Sequence, residues 1–185
     1  MKKIILTQIC LFFFFSLAFA QEKKALPFFD DFSNDYVNWT STSLAGGDLW
    51  HISGDDGIDG SKCARFYVTS NPPNANDDYL ISPVFNNSDN KSIAITFKFL
   101  YHGDGLIPEF YYSNSFVGDL SKSTWTNIDN SFWKNEWGWN DARIEIENPD
   151  TSFVFAIRYQ STTANSNYIL IIIFCKNKIC IFIMY

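Results

Sequence analysis

Apolar residues recur at every second position along much of this chain, and helical spacing is nearly absent. In Ser92–Tyr101, Ile93, Ile95, Phe97, Phe99 and Tyr101 share one face of an extended segment, with Ser92, Thr96 and Lys98 on the other. In Ser152–Gln160, Phe153, Phe155, Ile157 and Tyr159 point one way and Arg158 the opposite way. In Asp141–Glu147, Ile144 and Ile146 alternate with Arg143, Glu145 and Glu147. This is the pattern of antiparallel strands with one face on a core and one in water. Further strands are expected at Pro27–Phe32, Leu49–Ser53, Lys62–Val68, Tyr79–Val84, Leu106–Ser113, Thr124–Ile128 and Tyr168–Phe174. Clusters of turn formers separate them, among them Gly54–Gly60, Asn71–Asp78 and Asn86–Asn90. Many short strands without an internal repeat predict an all-β protein, a two-sheet antiparallel β-sandwich in one domain.

The pattern changes at both ends. Lys2 and Lys3 precede an apolar run from Ile4 to Phe19 that closes in Ala18-Phe19-Ala20, followed by polar Gln21. That is the layout of a signal peptide cleaved after Ala20. The run is shorter than the ~20 residues that span a bilayer, which argues against an anchor. Residues 21–167 then form the sandwich domain, and 168–185 an apolar tail. In that tail Lys176-Asn177-Lys178 interrupts two apolar stretches too short to span separately. Its composition is what out-of-frame translation of an A/T-rich gene would produce; the alternative is a last strand followed by a membrane-associating end. A membrane is a partner only if this tail is genuine.

Net charge is −6, and cleavage would remove two lysines and no acid. An acidic chain without a basic stripe argues against nucleic acid and anionic lipid. Of the cysteines, Cys63, Cys175 and Cys180 would remain, enough for one disulfide at most.

The order of several segments resembles a known family. Pro27-Phe28-Phe29-Asp30-Asp31-Phe32 is followed by Trp39, Trp50 and Lys62-Cys63-Ala64-Arg65. Then come Asn76-Asp77-Asp78-Tyr79-Leu80-Ile81-Ser82-Pro83, Phe110-Tyr111-Tyr112-Ser113, Thr124-Trp125-Thr126 and Val154-Phe155-Ala156-Ile157-Arg158-Tyr159. From about Pro27 to Ser166 this is similar to the cleaved-adhesin and choice-of-anchor J domains of secreted Bacteroidetes proteins. The resemblance implies a jelly-roll sandwich, presentation outside the cell, and structural calcium in several relatives. The resemblance implies a closing strand of the form Ile-Asp-Asp/Asn-hydrophobic, where this chain has Asn167-Tyr168-Ile169-Leu170. The sandwich is therefore expected to lack its last native strand.

Two groups of residues are candidates for chemistry. Calcium needs six to eight oxygen ligands, several of them carboxylates on flexible loops. Asp55, Asp56 and Asp59 stand at close spacing among glycines, and Asp30 and Asp31 align with the acidic position of the family's first strand. Either these acids hold a structural Ca2+ or they form turns on a solvated surface. Trp133, Trp137 and Trp139 share one face if extended, which suits a platform stacking on sugar rings; the alternative is that they fill the core.

Catalytic motifs are missing. His51 and His102 are the two histidines, and no nucleophile elbow, zinc-binding helix or phosphate loop accompanies them. The chain reads as a non-enzymatic, secreted or cell-surface module that recognises an extracellular glycan or protein. Alternatives are an accessory domain of a larger secreted hydrolase and a small glycosidase using Glu109 with Glu136, or Glu145 with Glu147.

Overall fold

The computed structural model describes residues 22–68, 75–103, 106–128, 130–163, 170–171 and 179–183. The leader expected at 1–20 lies outside them, as does most of the tail. In chain order the strands are β1 (Phe28–Asp30), β2 (Thr40–Ala45), β3 (His51–Ser53), β4 (Cys63–Arg65), β5 (Asp77–Ile81), β6 (Phe85–Asn86), β7 (Ile93–Tyr101), β8 (Glu109–Ser113), β9 (Thr126–Asn127), β10 (Glu136–Ile146), β11 (Ser152–Gln160), β12 (Leu170–Ile171) and β13 (Ile179–Ile183). One sheet runs β1-β13-β7-β10, with β12 also paired to β7. The other runs β2-β5-β11-β8-β9, with β6 on β11, and β3 and β4 form a separate pair. All of these strand pairs are antiparallel.

The alternation read from sequence determines which side chains meet between the sheets. Ile93, Ile95, Phe97 and Phe99 of β7 and Ala142, Ile144 and Ile146 of β10 face Phe153, Phe155 and Ile157 of β11, Phe110 of β8 and Leu80 of β5. Aromatic rings bridge the layers. Phe97 and Phe110 stack at 6.0 Å and Phe110 and Phe155 at 5.2 Å, while Trp39 meets Phe155 edge-on at 5.6 Å. Arg143 and Glu145 pair with each other on the wet face of β10.

The segment Asp77–Pro83 shows why these residue types sit at these positions. Leu80 enters the inter-sheet core, and Ile81 joins a second apolar cluster on the opposite face with Tyr79, Val154, Ala156, Phe116 and Trp125. Asp77 binds Arg158 through two hydrogen bonds of 2.7 Å. Beyond the strand, the Ser82 hydroxyl accepts from the Phe155 N–H at 3.0 Å, continuing the pairing where Pro83 cannot donate. Asp78 is the exception, a fully buried carboxylate on the core side of β5. Burial chiefly, with the like charges of Asp77 and Asp48, pushes its carboxyl up to about 7, against the pull of the Ser43 hydroxyl.

Two elements depart from the sequence-based expectation. β2, whose run Thr40-Ser41-Thr42-Ser43 has no apolar alternation, is an edge strand beside β5. Residues 179–183 of the tail occupy the position between β1 and β7. The sheet expected to lack a closing strand is thus continuous from β1 to β10, with the tail supplying that strand.

Phe155 is fully buried and packs against the Trp39, Phe85 and Phe110 rings, so Phe155→Ala is expected to cost about 3–5 kcal/mol. A denaturant midpoint shift at unchanged slope would show it.

Candidate functional site

The end of the sandwich at the C-terminus of β7 and the N-terminus of β10 carries an aromatic ledge. Trp137 is 64% exposed, the largest exposed aromatic surface among the described residues. Its ring packs on His102, centroids 4.4 Å apart and planes tilted by 37°. His102 follows the last residue of β7, and Trp137 is the second residue of β10, beside Glu136, which pairs with Tyr101. Strand pairing therefore brings together two rings 35 positions apart in the chain.

Asn135 holds this corner. Its side-chain oxygen accepts from the Gly103 N–H at 3.0 Å and its amide donates to the Gly103 carbonyl at 2.6 Å. Two bonds to one residue remove much of the freedom of the 101–103 segment and fix the His102 backbone. Lys134 and Glu136, close to Trp137 in the chain, are exposed. An apolar flat face bordered by polar hydrogen-bonding groups can take up a ring with one face of C–H groups and a rim of hydroxyls.

The other two tryptophans expected in a platform are placed differently. Trp133 is 8% exposed and packs on Phe99 at 4.8 Å and Phe132 at 4.6 Å. It belongs to the core, because the turn before β10 folds its ring inward against β7. Trp139 is half-buried against Cys63 and Ile58. A register shift between Glu136 and Asn140 separates this part of β10 from the regular alternation that follows. The three rings thus do not form one surface, and Trp137 alone offers its face to solvent.

The acids expected to hold calcium are also dispersed. Among the described residues, no three His, Cys, Asp or Glu side chains gather as a metal site. Asp30 accepts from the Phe32 N–H at 2.9 Å, the Asn38 amide at 3.1 Å and the Trp39 indole at 3.1 Å, which pins β1 to the start of β2. Asp31 accepts from the Ser33 N–H at 3.0 Å. Asp56 binds Ser53 and Arg65, which lower its carboxyl pKa, the serine bond foremost. Asp55 and Asp59 are exposed in the same loop. This donor set does not fit a calcium ion, since Asp30 and Asp56 are each satisfied by protein donors in different places.

Of the carboxylates considered for glycoside hydrolysis, Glu109 accepts from Arg158 at 3.2 Å and from the Tyr111 hydroxyl at 2.7 Å. Glu145 accepts from Arg143 at 2.8 Å and 3.1 Å. His51 packs edge-on against Tyr67 at 5.0 Å, and burial lowers its pKa. Neither histidine of the pair suggested a site from sequence. The signal available for His102 was its place directly after an alternating strand, where side chains leave the core.

No protein-family model matches the sequence, and no curated protein matches it. Among solved structures, the K1 cleaved adhesin domain of Lys-gingipain from Porphyromonas gingivalis W83 is similar, with a TM-score of 0.59 at 15% identity, over 85% of this chain and 98% of that one. The K3 cleaved adhesin domain of the same protein gives 0.58 at 14% identity, over 84% and 96%. A structure of carbohydrate-binding modules from the beta-sandwich superfamily gives 0.52 at 12% identity, over 88% and 63%. At these identities the likeness shows the fold, an antiparallel β-sandwich.

Asp30→Ala leaves the Trp39 indole N–H without its acceptor inside the structure. It is expected to cost about 1–3 kcal/mol in urea unfolding. Asp55→Asn and Asp59→Asn, at exposed turn positions, are expected to stay within about 0.5 kcal/mol of the parent in the same measurement.

Proposed function

We propose that this chain is a non-catalytic recognition module, exported from the cell, that binds an extracellular glycan on the Trp137–His102 ledge. The observation that carries the reading is an indole 64% exposed yet held in place, with His102 behind it and the Asn135–Gly103 clamp beneath. An exposed tryptophan gains nothing for folding from its free face, whereas a rigid one loses little entropy when a sugar ring stacks on it. The fold shared with adhesin domains and carbohydrate-binding modules agrees with this use, and so does the leader-like N-terminus. Glu109 and Glu145, the acids a glycosidase would need, are each engaged by an arginine on a sheet face.

Binding to a glycan array should identify the sugar class, with titration calorimetry giving the affinity. Trp137→Ala is expected to weaken that binding at least about 10-fold, the loss of one stacking contact, with the melting temperature unchanged. Trp137→Phe should retain part of the affinity. If Trp137→Ala binds the same glycans as tightly as the parent, the ledge is not the site. Release of sugar from any bound glycan would overturn the non-catalytic reading.

A further inference from the structure

Among the described residues the two sheets end in β1 and β10 on one side of the sandwich and in β2 and β9 on the other. A sheet end carries unpaired backbone groups that can template another strand, and proteins guard such ends with brevity, charge, proline or a bulge. β1 and β9 are three and two residues long. β10 is long, but Asp141, Arg143 and Glu145 alternate along it and its register shifts between Glu136 and Asn140. β2, Thr40-Ser41-Thr42-Ser43-Leu44-Ala45, contains no charge and no proline, and its ladder to β5 is regular from Thr40 to Ser43. The irregular step comes only at its end, between Ser43 and Ala45, where Leu44 is 57% exposed.

This edge opens onto a cleft of about 290 Å³ on the outer face of the sheet. Thr40 and Thr42, paired with Ile81 and Tyr79, face outward and line it together with Leu44, Ile81, Phe116 and Leu120. Asp119 is the one ionisable residue of the lining, and Lys122 pairs with it at 2.8 Å, so the cleft holds no uncompensated charge. Val117, between two lining residues, is exposed.

We infer that β2 is a dimerisation edge, on which a second copy of this chain lays its own β2 antiparallel so that the two six-stranded sheets become one. Residues directly opposite in such a ladder point to the same face, so a strand that pairs with itself must set outward residues against outward ones. With Thr42 on the two-fold axis, Ser41 meets the partner's Ser43, and Thr40 meets the partner's Leu44. An axis at Ser41 would carry the ladder into buried Trp39, and one at Ser43 would centre it on the irregular step. In the Thr42 register each Leu44 comes to lie at the other copy's cleft, covering apolar surface that a single chain leaves in water. The Ser41 hydroxyl, buried without a hydrogen-bond partner in the single chain, comes opposite a hydroxyl. Because the strand is neutral, two chains of net charge −6 meet there without like charges facing across the ladder. The contact is isologous and consumes the edge, so it closes at two copies. It lies on the sheet that does not carry Trp137, and it does not depend on what the ledge binds.

Sedimentation equilibrium of the intact chain over a concentration series should show a monomer–dimer equilibrium, tighter at higher salt because both chains are acidic. Amide hydrogen exchange over Thr40–Leu44 should slow as the dimer forms. Thr42→Lys, which sets two ammonium groups across the axis, should raise the dissociation constant at least about 10-fold, and Leu44→Glu should act in the same direction. At concentrations where the parent is monomeric, both variants should keep its melting temperature. Thr42→Cys should form a disulfide-linked dimer on mild oxidation, since facing residues lie within disulfide reach, whereas Leu44→Cys, set opposite Thr40, should not exceed the parent. A parent that is monomeric throughout overturns the inference and leaves the edge to a strand of another protein. So does a dimer that Thr42→Lys and Leu44→Glu form as tightly as the parent, or a Thr42→Cys chain that cross-links no better than Leu44→Cys.

Discussion

Everything else in this fold leans on one strand that is buried on both faces. β11 sends Phe153, Phe155, Ile157 and Tyr159 between the sheets, and it sends Val154 and Ala156 under the segment that carries Phe116, Leu120 and Trp125. It also bonds to β5 on one side and to β8 on the other, with β6 extending the first pairing. A strand with apolar partners in both directions and neighbours along both edges has a single register it can take, because a slip by one residue would exchange its two faces. Phe97, Phe110 and Trp39 inherit their positions from the Phe155 ring.

Once the layers are set, polar residues are left to the faces and ends, and they are used with economy. Asp30 ties three donors at the chain entrance. Arg158, Asp77, Glu109 and Tyr111 form one network across three neighbouring strands on the outer face. Asn135 closes the corner beneath the aromatic ledge. Each arrangement satisfies its own members, which is why none of them looks outward for a ligand. The ledge of Trp137 and the carboxylate of Asp78 differ for opposite reasons. One is an apolar surface left in water, and the other is a charged group taken out of it.

The sequence carried the layered plan because period-two alternation is local. Ile93–Tyr101, Ser152–Gln160 and the end of β10 could be read residue by residue, since each strand repeats its environment every second position. β2 could not be read, because an edge strand of serines and threonines has no apolar face to reveal it. The tail strand at 179–183 was legible as apolar but not as a member of the sheet, since its partners β1 and β7 stand far away in the chain. Legibility of the site was poorer. All three tryptophans share a parity, yet parity stops predicting a face where the strand is irregular, so Trp133 went into the core and Trp139 against Cys63.

By itself, then, the sequence determined the class of fold, the main core strands and the absence of a familiar catalytic motif, because these depend on which residue types recur at which spacing. Tertiary structure alone decided which acids are spent on neighbours, which tryptophan stays in water, and that Asp78 faces inward beside Asp48. Those outcomes depend on burial and on partners distant in the chain, and the free energy of a side chain is set by what surrounds it rather than by what precedes it.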